Sequence, residues 1–166
     1  YTTVNVTGIK YIGGLVGVVG GKIDKVYATG EVVATTATAV GGLIGHLATT
    51  VSNSYATGKV EGQSQIGGLV GETAASKSIV NSYAIGEVIG TGTDIGGLLG
   101  KNTSSSATNS YFVPETTKQE FSALGTSNII SKMLKQKGYA SWDFDKIWDI
   151  QEGSTLAYLR TLPVPE

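Results

Sequence analysis

"NSYATGKVEGQSQIGGLVG", residues 53–71, carries two short phrases that return along most of the chain. The first, "NSYATG" at 53–58, reappears as "NSYAIG" at 81–86, as "KVYATG" at 25–30 and as the fragment "NSYF" at 109–112. Its Tyr falls at Tyr27, Tyr55, Tyr83 and Tyr111, in steps of 28 residues. The second phrase reads "IGGLVG" at 12–17, "VGGLIG" at 40–45, "IGGLVG" at 66–71 and "IGGLLG" at 95–100, in steps of 28, 26 and 29. Insertions and deletions therefore fall between the phrases. The opening "YTTVNVTG" matches "YATGKVEG" at Tyr1, Thr3, Val6 and Gly8, which puts Tyr1 in the Tyr position of a first coil.

A fixed period of this length signals stacked repeats. It is too long for collagen and too short for a propeller blade, and the repeats lack an apolar pattern at helical spacing. Two or three short strands per unit, closed by Gly-rich corners, fit a right-handed parallel β-solenoid of about 28 residues per coil over residues 1–114. A single coil cannot bury its apolar face; stacking makes the core continuous. At roughly 4.8 Å per coil the rod is expected to be about 20 to 25 Å long.

Composition agrees. The chain has 166 residues, 24 of them Gly and three Pro, with 40% hydrophobic residues, more apolar content than a Gly-rich linker carries. Net charge is −1, with 12 basic against 13 acidic side chains, so there is no electrostatic footprint for nucleic acid. The sequence has no apolar run long enough to span a bilayer and no signal-peptide pattern at its start, and it reads as a mature part of a longer chain. The absence of Cys rules out disulfide stapling.

Strand alternation sorts the side chains. Ala56, Gly58 and Val60, with their equivalents one period away, are expected to face inward. Tyr55, Thr57 and Lys59 then face outward, so Tyr27, Tyr55, Tyr83 and Tyr111 form one outer ladder. That ladder is first a packing device, and secondarily a candidate contact for a protein or a glycan. Asn53, Asn81 and Asn109 form a second column, whose amides are expected to hydrogen-bond along the rod and pin its register. The "GGL" phrase is apolar on both faces: Ile66 and Val70 on one, Leu69 on the other. One ladder belongs to the core, and the other needs a cover.

After "SYFVPE" the repeat stops. In the segment 115–166, residues 126–139 ("TSNIISKMLKQKGY") predict a helix capped by Ser127 and ended by Gly138. The following "WDFDKIWDI" holds both Trp of the chain. A cap that seals the solenoid end or the spare Leu ladder is expected, with an aromatic carbohydrate platform as the sharper alternative.

The "GGLVG", "GGLIG" and "GGLLG" cores and the intervening "NSYATGKVEG" resemble the GLUG repeat family. The tail, "ASWDFDKIWDIQEGSTLAYLRTLP", looks like the terminator that follows such arrays, with "LAYL" replacing the usual last element. The resemblance implies a secreted or surface-anchored bacterial protein, extracellular in location. Adhesin-like proteins and immunoglobulin A-cleaving zinc metalloproteases both occur in the family, and the repeat itself carries no catalytic residues. The expected role is a structural or adhesive module that spaces or presents domains and contacts a host or surface protein or glycan. The alternative is a non-catalytic recognition module of such a protease.

The residues give no independent catalytic or metal constellation and imply no cofactor. His46 is the only His, after a "GGLIG" corner, and is expected to be solvated; a zinc site needs at least three protein ligands. The Gly pairs belong to a repeated unit and not to a phosphate-binding loop. Asp143 and Asp145 flank Phe144 and read as solvated acids, with calcium binding as the sharper alternative.

Overall fold

The 28-residue step becomes hydrogen-bonded register. In the computed structural model, which describes residues 1–160, Tyr27 pairs with Tyr55, Tyr55 with Tyr83 and Tyr83 with Tyr111, all in parallel strands. The uneven steps of the second phrase are matched as well: Ile12 faces Val40, Val40 faces Ile66 and Ile66 faces Ile95. The chain is a parallel β-solenoid of about four turns.

Each turn is more finely divided than the two or three strands expected. One complete turn runs through Thr38–Gly41, Ile44–Leu47, Thr50–Ser52, Tyr55–Ala56 and Val60–Gly62, and stacking makes five parallel sheets. The extra corners come from residues that turn the chain sharply. The residue two before the Tyr is left-handed in four successive turns: Lys25 (φ 57°), Asn53 (48°), Asn81 (47°) and Asn109 (46°). Asn tolerates this region better than most side chains, which supplies a conformational reason for the Asn column. Its amide ladder is partial: Asn81 donates to Asn53 at 3.5 Å, and Asn53 donates to Asp24 at 2.8 Å. Ser54, Ser82 and Ser110 do more for the register. The Ser82 hydroxyl accepts from Ser54 N–H (3.1 Å), and the Ser110 hydroxyl accepts from Ser82 N–H (3.2 Å).

Both apolar faces of the "GGL" phrase are inside, so no spare Leu ladder exists. The strand Ser64–Gly67 ends at the Gly pair and Val70–Thr73 begins after it. The bend between them resets the alternation. Ile66 enters one compartment with Val32, Val40, Val60 and Val88, while Leu69 and Val70 enter another with Leu43, Leu98 and Ile79. Between the compartments the solenoid is narrow. A Cβ on Gly68 would lie 2.8 Å from the Ala84 Cβ and against the Gly97 carbonyl, so a Gly ladder faces an Ala ladder across the waist. In the last turn Phe112 takes the Ala position, over Gly97, and fills the end of the core.

The tail departs from the single helix expected over 126–139. Thr126–Ser127 instead pairs with Tyr111–Phe112 as a fifth strand of the Tyr sheet, so Ser127 extends a sheet and caps nothing. Among the described residues, helix is confined to Pro114–Thr117 and Ile130–Met133, with a 3-10 turn at Gln136–Gly138. The open edge of the last coil offers ladder hydrogen bonds that outweigh the local helical preference of these residues. Asn128 keeps the chain extended there: its Oδ1 accepts from Ile129 N–H, and its Nδ2 donates to the Gly138 carbonyl at 3.1 Å.

The tail covers two surfaces. Residues 114–127 close the end of the rod: Gly97 N–H donates to Phe121 O, Ala123 N–H to Leu99 O, and the Ser122 hydroxyl accepts from Leu98 and Leu99 N–H. The aromatics that follow lie along the side of the rod, on the Tyr ladder, and not at its end. Residues 161–166, part of the expected 115–166 segment, lie outside the described residues.

Candidate binding surface

The tyrosines point away from the solenoid core, as alternation requires, but they do not reach solvent. Tyr27 and Tyr83 are 2% exposed, and Tyr55 and Tyr111 are 8% exposed. Tyr1, Tyr27, Tyr55 and Tyr83 stack with ring centroids 4.9 to 5.0 Å apart and planes within 6°. Tyr111 instead meets Tyr139 edge-on at 6.2 Å. Over this ladder sit Tyr139, Trp142, Phe144, Trp148 and Leu159, forming one cluster with it. A partner therefore has no open Tyr column to contact. The column suggested for protein or glycan binding, Tyr27, Tyr55, Tyr83 and Tyr111, is covered by the chain's own tail.

Directional bonds fix this packing. Tyr83 Oη donates to the Ala157 carbonyl (2.9 Å), Trp142 Nε1 donates to the Asn109 carbonyl (2.8 Å), and Tyr111 Oη accepts from Ala140 N–H (3.1 Å). Tyr139 Oη donates to Met133 O at 2.7 Å and accepts from Ala157 N–H. Burial drives the phenols of Tyr55, Tyr83 and Tyr139 above the ordinary tyrosine range, since tyrosinate would lose its hydration there.

What the tail presents outward is a shallow groove with a basic edge. It is lined by Lys135, Lys137, Tyr139, Trp142, Phe144 and Glu152, and it continues past Lys132 and Ile129. Glu152 holds its wall by accepting from Gln136 N–H at 2.8 Å, and Gly153 N–H donates to Leu134 O at 2.7 Å. The lysines are exposed, and the salt bridges among the described residues do not include them. Sequence reasoning missed this groove, because it arises from loops brought together by the Tyr ladder.

His46 also differs from expectation. It lies in the strand Ile44–Leu47, is partly buried, and its Nδ1 is 2.7 Å from Glu72 Oε1 on the next turn. Tyr11 packs on its ring at 5.3 Å, and Glu72 is in register with Lys101 beyond. A cross-turn hydrogen bond is what His46 makes here; no group of three or more metal-ligating side chains occurs among the described residues. Asp143 is a turn cap: its Oδ1 accepts from Asp145 and Lys146 N–H at 3.0 and 2.9 Å. Among the described residues, no helix is long and apolar enough to cross a membrane.

Residues 8–33 and 36–61 match the family model described as the GLUG motif. No curated protein and no solved structure matches the chain. The two matched units stack in register on the "IGGLVG" and "IGGLLG" coils that follow, through the same sheets. Residues 8–61 thus carry two GLUG motifs, and the later coils repeat their pattern in register with them.

Proposed function

We propose that the chain is a non-catalytic structural and adhesive module of a larger extracellular or surface-attached bacterial protein. It holds other domains at a set spacing and contacts a host or surface protein or glycan through its tail. The observation that carries this reading is the fusion of the tail with the Tyr ladder into one apolar cluster. A rod whose turns share five sheets, and whose tail is locked along its side, is stiff and transmits position. The groove beside Lys135 and Lys137 joins exposed lysines to aromatic side chains on the tail, which suits it to such a contact.

The test is made in the parent protein displayed on cells. Deleting the module should reduce attachment to the target surface. Replacing it with an unrelated rod of equal length should restore spacing but not attachment, and Lys135→Glu with Lys137→Glu should weaken attachment without changing the fold. Attachment unchanged by deletion would overturn the proposal.

A further inference from the structure

The groove on the tail is built on a fastened backbone. Its lysines stand on the helix Ile130–Met133, the turn Gln136–Gly138 and the residue between them. Asn128 Nδ2 ties this segment to the Gly138 carbonyl, Tyr139 Oη donates to Met133 O, and Met133 is fully buried. From that backbone Lys132, Lys135 and Lys137 emerge exposed and line one continuous depression. The depression runs on past Ile129 to Asn128 and Pro114. An elongated, preformed course of this kind suits an extended chain, which it would hold at little ordering cost to the tail.

Charge and exposure select the chain. The protein as a whole carries −1, yet the charged residues lining the groove are three Lys and Glu152. The Glu152 carboxylate accepts from Gln136 N–H, which holds it to the wall. An anionic occupant is therefore complementary. The aromatic side argues against a sugar. Tyr139, Trp142 and Phe144 are 3%, 7% and 8% exposed, because their rings pack on one another and over the Tyr ladder. Almost no ring face is left for a pyranose to stack on. The Asn128 amide, which could grip sugar hydroxyls, is bonded at both ends to backbone. Ile129 is instead 46% exposed and lies beside Lys132 in the same stretch of groove. An aliphatic foothold among lysines matches a peptide that mixes acidic and apolar side chains.

We propose that the groove binds an extended acidic peptide segment of a protein partner, with carboxylates on Lys132, Lys135 and Lys137 and an apolar side chain against Ile129. This rests on the reading that the tail makes the module's contact, and it narrows that contact from a protein or glycan to a protein.

The experiment titrates the full chain with an acetylated, amidated peptide in which pairs of Glu alternate with single Leu, followed by calorimetry. Binding should weaken with added salt, since the pairing is exposed. Lys135→Glu with Lys137→Glu should weaken it about tenfold or more, and Ile129→Ser about threefold or more. Lys10→Glu with Lys101→Glu, the same charge change on sheets other than the Tyr sheet, should leave it within about twofold. Melting temperatures check that each variant is folded. A galacturonate oligomer matched in charge should bind more weakly than the peptide. Equal binding of that oligomer, insensitive to Ile129→Ser, would overturn the proposal in favour of an acidic glycan. Peptide binding that survives the reversal of Lys135 and Lys137, or no peptide binding at all, would overturn it too. The two claims fail separately. Attachment lost on deleting the module while the peptide does not bind refutes the peptide groove alone. Attachment unchanged by deletion refutes the adhesive reading, and the titration still decides the groove.

Discussion

Leu69→Ala tests whether the "GGL" columns form a single core with the rest of the molecule. Leu69 is fully buried, among Leu43, Val70, Ile79 and Leu98. Truncation removes carbons worth about 0.8 kcal/mol each in transfer. The rigid stacked backbone can collapse little around the gap, so the loss belongs at about 3 to 5 kcal/mol. For a chain of this size that corresponds to a fall in melting temperature of about 6 to 20 °C. Urea unfolding followed in two channels is the assay: circular dichroism for the sheets, and fluorescence for Trp142 and Trp148. Both Trp lie in the tail cluster over the Tyr ladder, away from Leu69. Because the tail is fastened to that ladder, both transitions should shift together. Phe121→Ala, at an 83% exposed position, should shift neither by more than about 0.5 kcal/mol. A loss below about 1 kcal/mol would refute the burial argument. A sheet transition that moves while the Trp transition stays in place would refute the coupling.

Gly68→Ala should cost about 1 to 3 kcal/mol or more by calorimetry, since its Cβ meets Ala84 and the Gly97 carbonyl, whereas Gly20→Ala, with open space around it, should be near neutral. Alkaline stability should fall above pH about 10, where unfolded tyrosines ionise. Tyr55, Tyr83 and Tyr139 have raised values in the fold, so their contribution is complete below that pH and is lost as pH rises through the folded values. Tyrosinate absorbance should therefore appear for these rings only as the chain unfolds; free titration without unfolding would contradict their burial. Cutting the chain after residue 114 should leave a fragment that self-associates in sedimentation velocity, because the last coil and the Tyr ladder lose their covers. A monomeric fragment with an unchanged melting temperature would show that the tail is dispensable.

The repeat made the coil period, the register and the inward Ala, Gly and Val columns legible in the sequence, because each depends on spacing alone. The direction of the Tyr ladder was legible for the same reason. Its burial was not: that depends on where Trp142 and Trp148 dock, and no local pattern encodes the docking site. The helix over 126–139 was a sound local reading overruled by a tertiary one, when Thr126–Ser127 joined the sheet edge beside Tyr111–Phe112. The interior position of both Leu69 and Ile66 was hidden because strict alternation was carried through Gly67 and Gly68, where the backbone bends. The Ser54, Ser82 and Ser110 column recurs in "NSY", yet its partners are backbone N–H groups one turn away, invisible without the stacking. The outward groove was hardest to foresee, since Lys135, Trp142 and Glu152 meet only through loops.

Engineered disulfides test the parallel coil most directly, because the native chain has no Cys to interfere. Ser78 and Ser106 are in register on neighbouring turns, with their hydroxyl oxygens 3.1 Å apart. Ser78→Cys with Ser106→Cys should oxidise to an intramolecular bridge in a monomer that keeps its melting temperature, since in-register Cα atoms at the spacing of about 4.8 Å fall in the range a disulfide spans. Ser78→Cys with Thr108→Cys, two residues out of register, should remain reduced under the same conditions. Bridging of the second pair, or of neither, would contradict the solenoid.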